Sequence, residues 1–275
     1  MKGKLYIVAT PIGNLDDITF RALNVLKEVD IIAAEDTRQT LKLLNHYNIS
    51  KHLISYHRHN EDVKSEYLIE KMNNGENIAL VSDAGTPGIS DPGEEVIKKA
   101  IENQIEVIPI PGACAMINAL ICSGIETNEF TFLGFLPLNK KSRREKLEEI
   151  QVATKTIILY EAPHKMKNTL KDLKNHIGDR KLVLARELTK IHEEFIRKPI
   201  DELISEVENL MGEMILVIEA GKQEEHTRIN KDNISIEEQY KIYEAEGLSK
   251  NEIIKKIAKD RKTTKNEIYQ MFIEK

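Results

Sequence analysis

Residues 81–93 read V-S-D-A-G-T-P-G-I-S-D-P-G and combine the residue types of a ligand-binding loop. Within 83–93 there are three glycines, two prolines and two aspartates. Glycine lets the backbone approach a ligand closely, proline stiffens the turns, and an aspartate can direct its carboxylate at the ligand. The loop lies between an apolar run at 78–81 and an amphipathic segment at 94–102, which predict a strand and a helix. Ligands bind at this edge of open α/β sheets, so the pattern predicts a small-molecule site.

Further polar or glycine-rich segments follow other apolar runs in the same way. They are 10–15, 35–38, 57–60, 109–112, 160–165 and 186–190. Because the carboxyl ends of parallel strands lie on one edge of a sheet, we expect these segments to converge on one cleft. Each also has a simpler interpretation as a turn, a helix N-terminus, a strand exit or a surface ion-pair cluster. Their recurrence at successive strand ends favours the cleft.

Apolar, β-branched runs alternate with amphipathic helical stretches, which predicts an α/β fold with largely parallel sheets. Several runs are continuous, as in strands buried on both faces. The strands are expected at 5–9, 31–34, 53–56, 78–81, 105–110, 131–136, 156–160, 182–185 and 214–218.

The same pattern predicts two α/β domains, 1–112 and 113–221, a polar linker at 222–234 and a small helical domain at 235–275. The helical domain resembles a helix-turn-helix. After a turn at 247–250, Ser249 is placed to cap one helix, and Thr263 or Thr264 is placed to cap the next.

Composition and charge narrow the class of protein. Aromatic residues are only 5% of the 275 residues and Trp is absent, so aliphatic side chains must fill the cores. No run approaches the roughly 18 apolar residues of a membrane span, and no secretory signal opens the chain, so a cytoplasmic protein is expected. Cys114 and Cys122 are expected to be buried free thiols.

The net charge of -5 conceals two basic segments. Residues 140–146 hold five bases against one acid, and residues 241–275 hold nine bases against six acids. Either segment could contact a polyanion, and either could be a solvated helix face.

Common cofactor and hydrolase motifs are missing from the sequence. No G-x-G-x-x-G follows the first strand, and neither G-x-x-x-x-G-K-[ST] nor G-x-S-x-G occurs. These absences disfavour nicotinamide dinucleotides, P-loop nucleotides and α/β-hydrolase chemistry. Histidines and acids are not at zinc spacing, so no metal site is expected.

Five motifs, taken in order, resemble one family. They are L-Y-I-V-A-T-P-I-G-N-L at 5–15, A-A-E-D-T-R at 33–38, the loop 81–93, Y-E-A-P-H at 160–164 and A-R-E-L-T-K at 185–190. Together they are similar to the bacterial 16S ribosomal RNA (cytidine-2′-O)-methyltransferases of the tetrapyrrole methylase superfamily. The resemblance covers residues 4–221, and the C-terminal helices resemble that family's small added domain. T-P-I-G-N in the first loop, in place of the G-x-G-P-G type of porphyrinoid-modifying relatives, favours the RNA branch.

The resemblance implies a class III methyltransferase with a cleft between two α/β domains that binds S-adenosylmethionine. It also implies a homodimer, and methylation of one cytidine ribose in 16S rRNA of the small ribosomal subunit. The residues expected to bind the cofactor are Pro11, Gly13, Asn14, Asp83, Ala84, Gly85, Pro111, Gly112 and Ala113. Ala113 and Cys114 replace the family's usual Pro and Ser, which removes a hydroxyl from that loop and leaves its backbone contacts.

Roles for the charged residues follow from this implied reaction. Asp83 is expected to anchor the cofactor, since a carboxylate near the sulfonium stabilises the ground state more than the transition state. The candidate general bases at the mouth are Glu35, His57, Glu187 and His192. Of these we favour Glu35 and Glu187, because burial can raise the pKa of carboxylates at strand ends.

Phosphate contacts with RNA are expected from Arg38, Arg143, Arg144, Arg186 and Lys190, together with the C-terminal helices. A structural ion pair is the alternative role for each side chain. Two other functions stay open: a related methylase acting on a tetrapyrrole or a protein, and a helix-turn-helix nucleic-acid-binding protein whose α/β body senses a ligand.

Overall fold

The computed structural model describes residues 1–221, 235–245, 248–261 and 263–273. The chain divides into two compact units, Met1–Gly221 and Lys222–Lys275. The linker predicted at 222–234 and Gly247 of the predicted turn lie outside the described residues.

The first half of the larger unit is built on a parallel sheet with strand order β3-β2-β4-β1-β5. Its strands are β1 Leu5–Val8, β2 Ile31–Ala34, β3 His52–Ser55, β4 Ile78–Val81 and β5 Val107–Ile110. β2 and β4 are buried along their whole length, which explains why their sequences are continuous apolar runs. The predicted parallel sheet is confirmed in this half.

Helices pack on both faces of the first sheet. They are α1 Phe20–Glu28, α2 Thr37–His46, α3 Glu61–Asn73 and α4 Glu94–Glu102. Alternate strand residues supply the two cores: Ala33 packs with α3 and α4, and Ile32 packs with α1 and α2. Asp36 caps α2 by accepting the Arg38 N–H at 2.8 Å, so a residue of the loop after β2 has a structural role.

The second half is built on a sheet with strand order β6-β7-β10-β8-β9. Its strands are β6 Phe130–Phe135, β7 Thr156–Glu161, β8 Leu182–Arg186, β9 Glu194–Ile196 and β10 Met214–Ile218. β6 and β7 are parallel, whereas β10 runs antiparallel to both β7 and β8, and β9 runs antiparallel to β8. The prediction of largely parallel sheets is therefore wrong for this half, and β9 was not predicted.

The loops after β7 and β8 nevertheless lie on the same edge. Both strands run antiparallel to β10, which lies between them, so they point in the same direction. Met214, the first residue of β10, is paired with Glu161 on one side and Arg186 on the other. The helices of this half are α5 Ala115–Ser123, α6 Lys140–Gln151, α7 Pro163–Ile177 and α8 Ile200–Glu206.

The boundary expected at 112/113 stays a prediction, because 1–221 form one compact unit. The two cysteines lie at the ends of α5: Cys114 is its N-cap, and Cys122 is in its last turn. Cys114 is half-buried and Cys122 is exposed, and neither forms a disulfide. The expectation that both are buried is therefore wrong: Cys114 precedes the helix in extended backbone, and Cys122 lies on the solvent side of its last turn.

Contacts between the loop after β1 and the second half join the two sheets. Ile12 is 7% exposed and packs in a cluster with residues of β7, β8 and β10 such as Ile158. The Asn14 N–H donates to Thr189 Oγ1 at 3.0 Å. A Cβ on Gly13 would lie 2.5 Å from Lys190 Cγ and 2.9 Å from Thr189 Oγ1, so only glycine permits this approach.

The smaller unit contains α9 Ile236–Ala245, α10 Lys250–Asp260 and α11 Lys265–Ile273. Ile253, Ile257 and Ile268 are buried in its core with residues of α9. The Ser249 N–H donates to Glu252 Oε2 at 3.0 Å, and Thr264 Oγ1 accepts the Glu267 N–H at 3.3 Å. These bonds confirm the predicted helix starts.

None of the helices in the described parts of the chain is long and apolar enough to cross a bilayer.

We expect Gly13→Val to lower the free energy of unfolding by about 1–3 kcal/mol, because the added side chain must force the Lys190 loop away. Urea denaturation measures this change, and amide exchange at Asn14 should quicken as its bond to Thr189 is lost. Gly178→Ala is the control for loss of the backbone freedom of glycine. No atom lies within 4 Å of its added Cβ, so any loss of stability comes from its φ of +60° and not from a clash. That control should leave exchange at Asn14 unchanged. A Gly13→Val variant as stable as the wild type would contradict the close approach.

Candidate active site

A cavity of about 560 Å³ lies between the two halves of the larger unit. The loops after β2 and β4 form one wall, and the loops after β7 and β8 with the start of β10 form the other. The lining residues are Ile12, Glu35, Asp83, Ala84, Gly85, Thr86, Ile89, Ser90, Asp91, Cys114, Ala115, Phe135, Tyr160, Glu161, Ala162, Pro163, Glu187, Leu188, Lys190, Gly212, Glu213, Met214 and Ile215. The structure therefore brings together residues as far apart in the sequence as Ile12 and Ile215.

The nine residues expected to bind a cofactor take two kinds of position. Asp83, Ala84 and Gly85 line the cavity. The other six lie in segments next to the lining in sequence, beside Ile12 or Cys114: Pro11, Gly13, Asn14, Pro111, Gly112 and Ala113. Backbone pairing between Thr10 and Gly85, with N···O distances of 2.9 and 3.0 Å, holds the first of these segments against the loop after β4.

The segment 111–113 is held against the same loop by other contacts. The Ala113 carbonyl accepts the Thr86 hydroxyl at 3.1 Å. A Cβ on Gly112 would lie 2.9 Å from the Cβ of Ala9, so glycine permits the close packing of this segment on the end of β1. Both segments thus support the cavity wall from behind.

The loop 82–93 combines left-handed backbone with anchors at its far end. Gly85 and Gly88 have φ near +80°, and Ser90 has φ +66° although it carries a side chain. The Arg58 guanidinium donates to the Ser90 carbonyl, and the Gly93 N–H donates to Glu61 Oε1 at 3.0 Å. These bonds fix the backbone on both sides of Asp91, which lines the cavity.

Carboxylates dominate the first wall. Asp83 Oδ1 accepts the Asp36 N–H at 2.9 Å, and the Asp83 N–H faces Glu35 Oε2 at 3.4 Å. Burial raises the pKa of Glu35 above its ordinary value. Burial and then the negative charge of Glu35 raise the pKa of Asp91 to about 6. The wall is therefore an anionic surface whose charge is costly to maintain without a cation.

Aromatic rings and a buried carboxylate form part of the second wall. Tyr160 packs edge-on against Phe132 and Phe135, with centroids 4.9 and 5.8 Å away, and burial raises its pKa to about 12. Glu161 is 5% exposed and accepts the Thr169 hydroxyl at 2.6 Å and the Ala162 N–H at 2.9 Å. Each oxygen of the Glu161 carboxylate thus accepts one hydrogen bond from its own half.

Glu187 also lies in a network of its own. Lys190 Nζ donates to Glu187 Oε1 at 3.0 Å and to Glu213 Oε2 at 3.2 Å, and the Glu213 N–H donates to Glu187 Oε1 at 3.1 Å. The Lys190 bond holds the pKa of Glu187 below its ordinary value. Glu187 and Thr189 have φ of +49° and +67°, a strained conformation for residues with side chains that is often found at functional sites.

The remaining predicted bases lie away from the lining. His57 is half-buried, and its Nδ1 has no hydrogen-bond partner among the residues that the structure describes. His192 is exposed on the loop between β8 and β9. Of the candidate bases, the structure places Glu35 and Glu187 in the cavity.

The structure separates the five expected RNA-binding side chains. Arg38 and Arg144 reach solvent, with exposed fractions of 86% and 71%, although Arg38 pairs with Asp36, the N-cap of its helix, and Arg144 pairs with Glu148. Arg143 and Arg186 are 18% exposed and pair with Asp172 and Glu194 at 2.8 Å. Lys190 is in the cavity wall, paired as described above.

Asp91 and Glu161 line the cavity although neither is among the predicted site residues. Both belong to loops that the sequence pattern had singled out. The available signal was a second acidic residue in a strand-end loop, which by itself does not show which carboxylate faces the cavity.

The chain matches known proteins over most of its length. Residues 4–204 match the family of tetrapyrrole (corrin/porphyrin) methylases. A relative from Halalkalibacterium halodurans, ribosomal RNA small subunit methyltransferase I, is 48% identical over 98% of this chain and 95% of its own length. The protein of the same name from Bacillus subtilis is 46% identical over 98% and 94%.

A solved structure shows the same fold at low identity. Uroporphyrin-III C-methyl transferase from Thermus thermophilus, complexed with S-adenyl homocysteine, superposes with a TM-score of 0.56 at 15% identity over 79% of this chain and 97% of that chain. This structure shows the fold alone, whereas the identity and coverage of the sequence relatives show the family. The chain belongs to the ribosomal RNA small subunit methyltransferase I family, within the tetrapyrrole methylases.

Proposed function

We propose that the protein transfers a methyl group from S-adenosylmethionine to the ribose 2′-hydroxyl of a cytidine in 16S ribosomal RNA. The observation that carries the proposal is the cavity between the two halves. Carboxylates line its first wall, and aromatic and apolar side chains lie on its second wall beside carboxylates that are bonded within their own half. Relatives at 46–48% identity that cover 98% of the chain are named as methyltransferases for the RNA of the small ribosomal subunit.

The residues of the cavity suit S-adenosylmethionine. A volume of about 560 Å³ is within the range of small-molecule sites, roughly 300–1,000 Å³. Asp83, Glu35 and Asp91 offer negative charge to the ammonium and sulfonium groups, while Ile12, Leu188 and Ile215 offer apolar surface to the adenine. When bound, the cofactor supplies an electrophilic methyl group on a positively charged sulfur.

The chain's own contribution is positioning. Holding the hydroxyl oxygen and the methyl carbon in line can supply much of the rate enhancement. In this proposal Asp83 anchors the cofactor, because the Asp36 N–H fixes the direction of its carboxylate. The loops around Gly85 and Cys114 supply backbone groups, and the aromatic wall excludes water from the reacting atoms.

RNA binding is proposed for the exposed cations around the cavity mouth and on α6. Arg38 and Arg144 are the best placed of the five predicted side chains because they reach solvent. Arg143 and Arg186 would have to exchange an ion pair for a phosphate. We further propose that the enzyme acts in the cytoplasm on the small subunit, and that it does so as a homodimer.

Labelled methyl transfer tests the function. Purified protein, S-adenosylmethionine with a tritiated methyl group and small ribosomal subunits from a strain lacking this enzyme should yield labelled 16S RNA. One phosphodiester bond, next to a cytidine, should become resistant to alkaline cleavage. A porphyrinoid substrate in a parallel reaction is the control. Label in the porphyrinoid, in protein, or in no product would contradict the proposal.

Asp83→Asn should weaken binding of S-adenosylmethionine by roughly 10- to 100-fold, the effect of losing a charged hydrogen-bond partner. Asparagine can still accept the Asp36 N–H, so the loop should keep its structure. Isothermal titration calorimetry measures the affinity, and Asp62→Asn, an exposed residue of α3, is the matched control. Equal affinities for the two variants would remove Asp83 from the cofactor site.

Arg144→Gln should weaken binding to small subunits, more at low salt than at high salt. Removal of one phosphate contact changes the slope of log affinity against log salt by about 0.7–0.9. Filter binding over a salt series measures this slope. An unchanged slope would place the RNA surface elsewhere on the protein.

A further inference from the structure

The proposed reaction places the ribose of the target nucleotide inside the cavity. Neighbouring carbons of the ribose carry the 2′-oxygen and the base, so the base lies at the cavity whenever the 2′-oxygen reaches the cofactor methyl group. In that position the base cannot stack on its neighbours in the RNA strand. RNA-binding proteins offset this loss by stacking the base on an aromatic side chain.

Two aromatic side chains, Tyr160 and Phe135, line the cavity among the residues that the structure describes. Tyr160 is half-buried and packs edge-on against two phenylalanines. Phe135 is 57% exposed although it is a large apolar residue. The adenine of the cofactor has an apolar surface of its own in Ile12, Leu188 and Ile215. The ring of Phe135 is therefore an aromatic surface of the cavity that stays open to a second ligand.

A β-bulge in β6 directs Phe135 toward the cavity. The register against β7 shifts between Phe132 and Gly134, and Gly134 has a left-handed φ of +63°. In a regular strand, residues three apart point to opposite faces of the sheet. Because of the bulge, Phe132 and Phe135 both contact the ring of Tyr160. Bulges re-aim side chains and are frequent next to active sites, so the exposed ring has a specific backbone cause.

The end of β6 also meets the first wall of the cavity. A Cβ on Gly134 would lie 3.6 Å from the Ser90 hydroxyl oxygen, so this strand end lies against the loop 82–93. Phe135 follows directly, and it both lines the cavity and reaches solvent. These two properties place its ring at the cavity mouth, where the two walls come together.

Cations follow Phe135 in the chain, at the start of α6. Lys140 and Lys141 are exposed and have no ion-pair partner among the described residues, whereas each of the other three bases of 140–146 pairs with an acid. The helix dipole favours acids in the first turn, and α6 has none there. The two lysines thus add positive charge to an end of the helix that is already positive. This arrangement is unfavourable for the helix alone and becomes favourable when phosphates bind.

We propose that Phe135 is the stacking platform for the base of the target nucleotide, and that Lys140 and Lys141 bind phosphates of the same RNA strand. This assignment rests on the proposed function. The base lies on the ring at the cavity mouth, which directs the 2′-hydroxyl of the attached ribose into the cavity. The ligand of this surface is thus an unstacked base in a single-stranded segment of RNA.

Methylation kinetics on small subunits test the platform. Phe135→Leu keeps an apolar side chain and removes the aromatic face, so kcat/KM for small subunits should fall roughly 5- to 150-fold, the value of one base–aromatic stack. Phe135→Tyr keeps the ring and should stay within about threefold of the wild type. Phe130→Leu is the matched control, since it makes the same change at the opposite end of β6. A kcat/KM for Phe135→Leu within about twofold of the wild type would overturn the proposal.

Two further measurements test other occupants of the ring. The affinity of Phe135→Leu for S-adenosylmethionine, measured by calorimetry, should equal that of the wild type within about twofold. A loss of affinity that matches the loss of kcat/KM would place the ring in the cofactor site and overturn the proposal. Sedimentation velocity should show an unchanged oligomeric state, and dissociation of Phe135→Leu would place a second copy of the chain on the ring. Wild-type protein that transfers no methyl group to RNA would instead overturn the proposed function.

A substrate without the base separates stacking from a structural role of Phe135. The target cytidine, located by its alkali-resistant bond, is replaced by an abasic ribose that keeps the 2′-hydroxyl, in 16S RNA reconstituted into small subunits. Wild-type kcat/KM should fall at least as far as Phe135→Leu lowers it on intact subunits. On the abasic substrate, Phe135→Leu should cost no more than about twofold further. Equal losses from Phe135→Leu on both substrates, or a wild-type enzyme indifferent to the missing base, would overturn the platform.

Salt dependence tests the two lysines. The double variant Lys140→Gln/Lys141→Gln should reduce the slope of log affinity against log salt by about 1.4, at about 0.7 for each phosphate contact with a single strand. Phe135→Leu removes no charge and should leave the slope unchanged. Filter binding of small subunits over a salt series measures both slopes. An unchanged slope in the double variant, or a changed one in Phe135→Leu, would overturn this division of base and phosphate contacts.

Discussion

The cavity depends on the close approach of the loop after β1 to the second half of the chain. Ile12 leaves the first sheet and packs with side chains of β7, β8 and β10, while Gly13 passes Lys190 at a distance that no side chain would permit. Thr10 at the same time pairs with Gly85. One short segment thus fixes the ligand loop of the first half and the strand ends of the second half to each other. Because apolar burial is lost unless both halves are in place, the two walls form together.

The two walls of the cavity differ in how their carboxylates are paired. On the second wall Lys190 lies between Glu187 and Glu213, and Glu161 accepts the Thr169 hydroxyl, so each carboxylate has a partner within that half. On the first wall burial and mutual repulsion raise the pKa of Glu35 and Asp91. An environment that disfavours its own anions gains most from a cationic ligand, which supports the proposal that the sulfonium cofactor binds at the first wall.

Strand direction explains why the convergence of loops could be predicted although the second sheet is not parallel. The expectation needed only that strands with polar segments at their carboxyl ends should run the same way. β7 and β8 satisfy it because β10 lies between them and is antiparallel to both. The sequence pattern of a buried strand depends on burial of its two faces and does not report the direction of its neighbours. Parallel and antiparallel arrangements of Met214–Ile218 would therefore look alike in the sequence.

The α/β class, most strands, the ligand loop, the family, the helix start at Ser249 and a second helix start at Thr263 or Thr264 could all be predicted from the sequence. These follow from local physics: apolar runs must be buried, glycine permits left-handed turns, and a hydroxyl or carboxylate caps a helix. The tertiary structure decided which charged groups face the cavity and which are paired. Arg143 and Arg144 are neighbours in the chain, yet one is paired with Asp172 and the other reaches solvent. The charged groups that face Asp91, Glu35 and Arg58, belong to the loops after two other strands. Burial and charge pairing depend on distances between segments remote in sequence, so only the folded chain determines them.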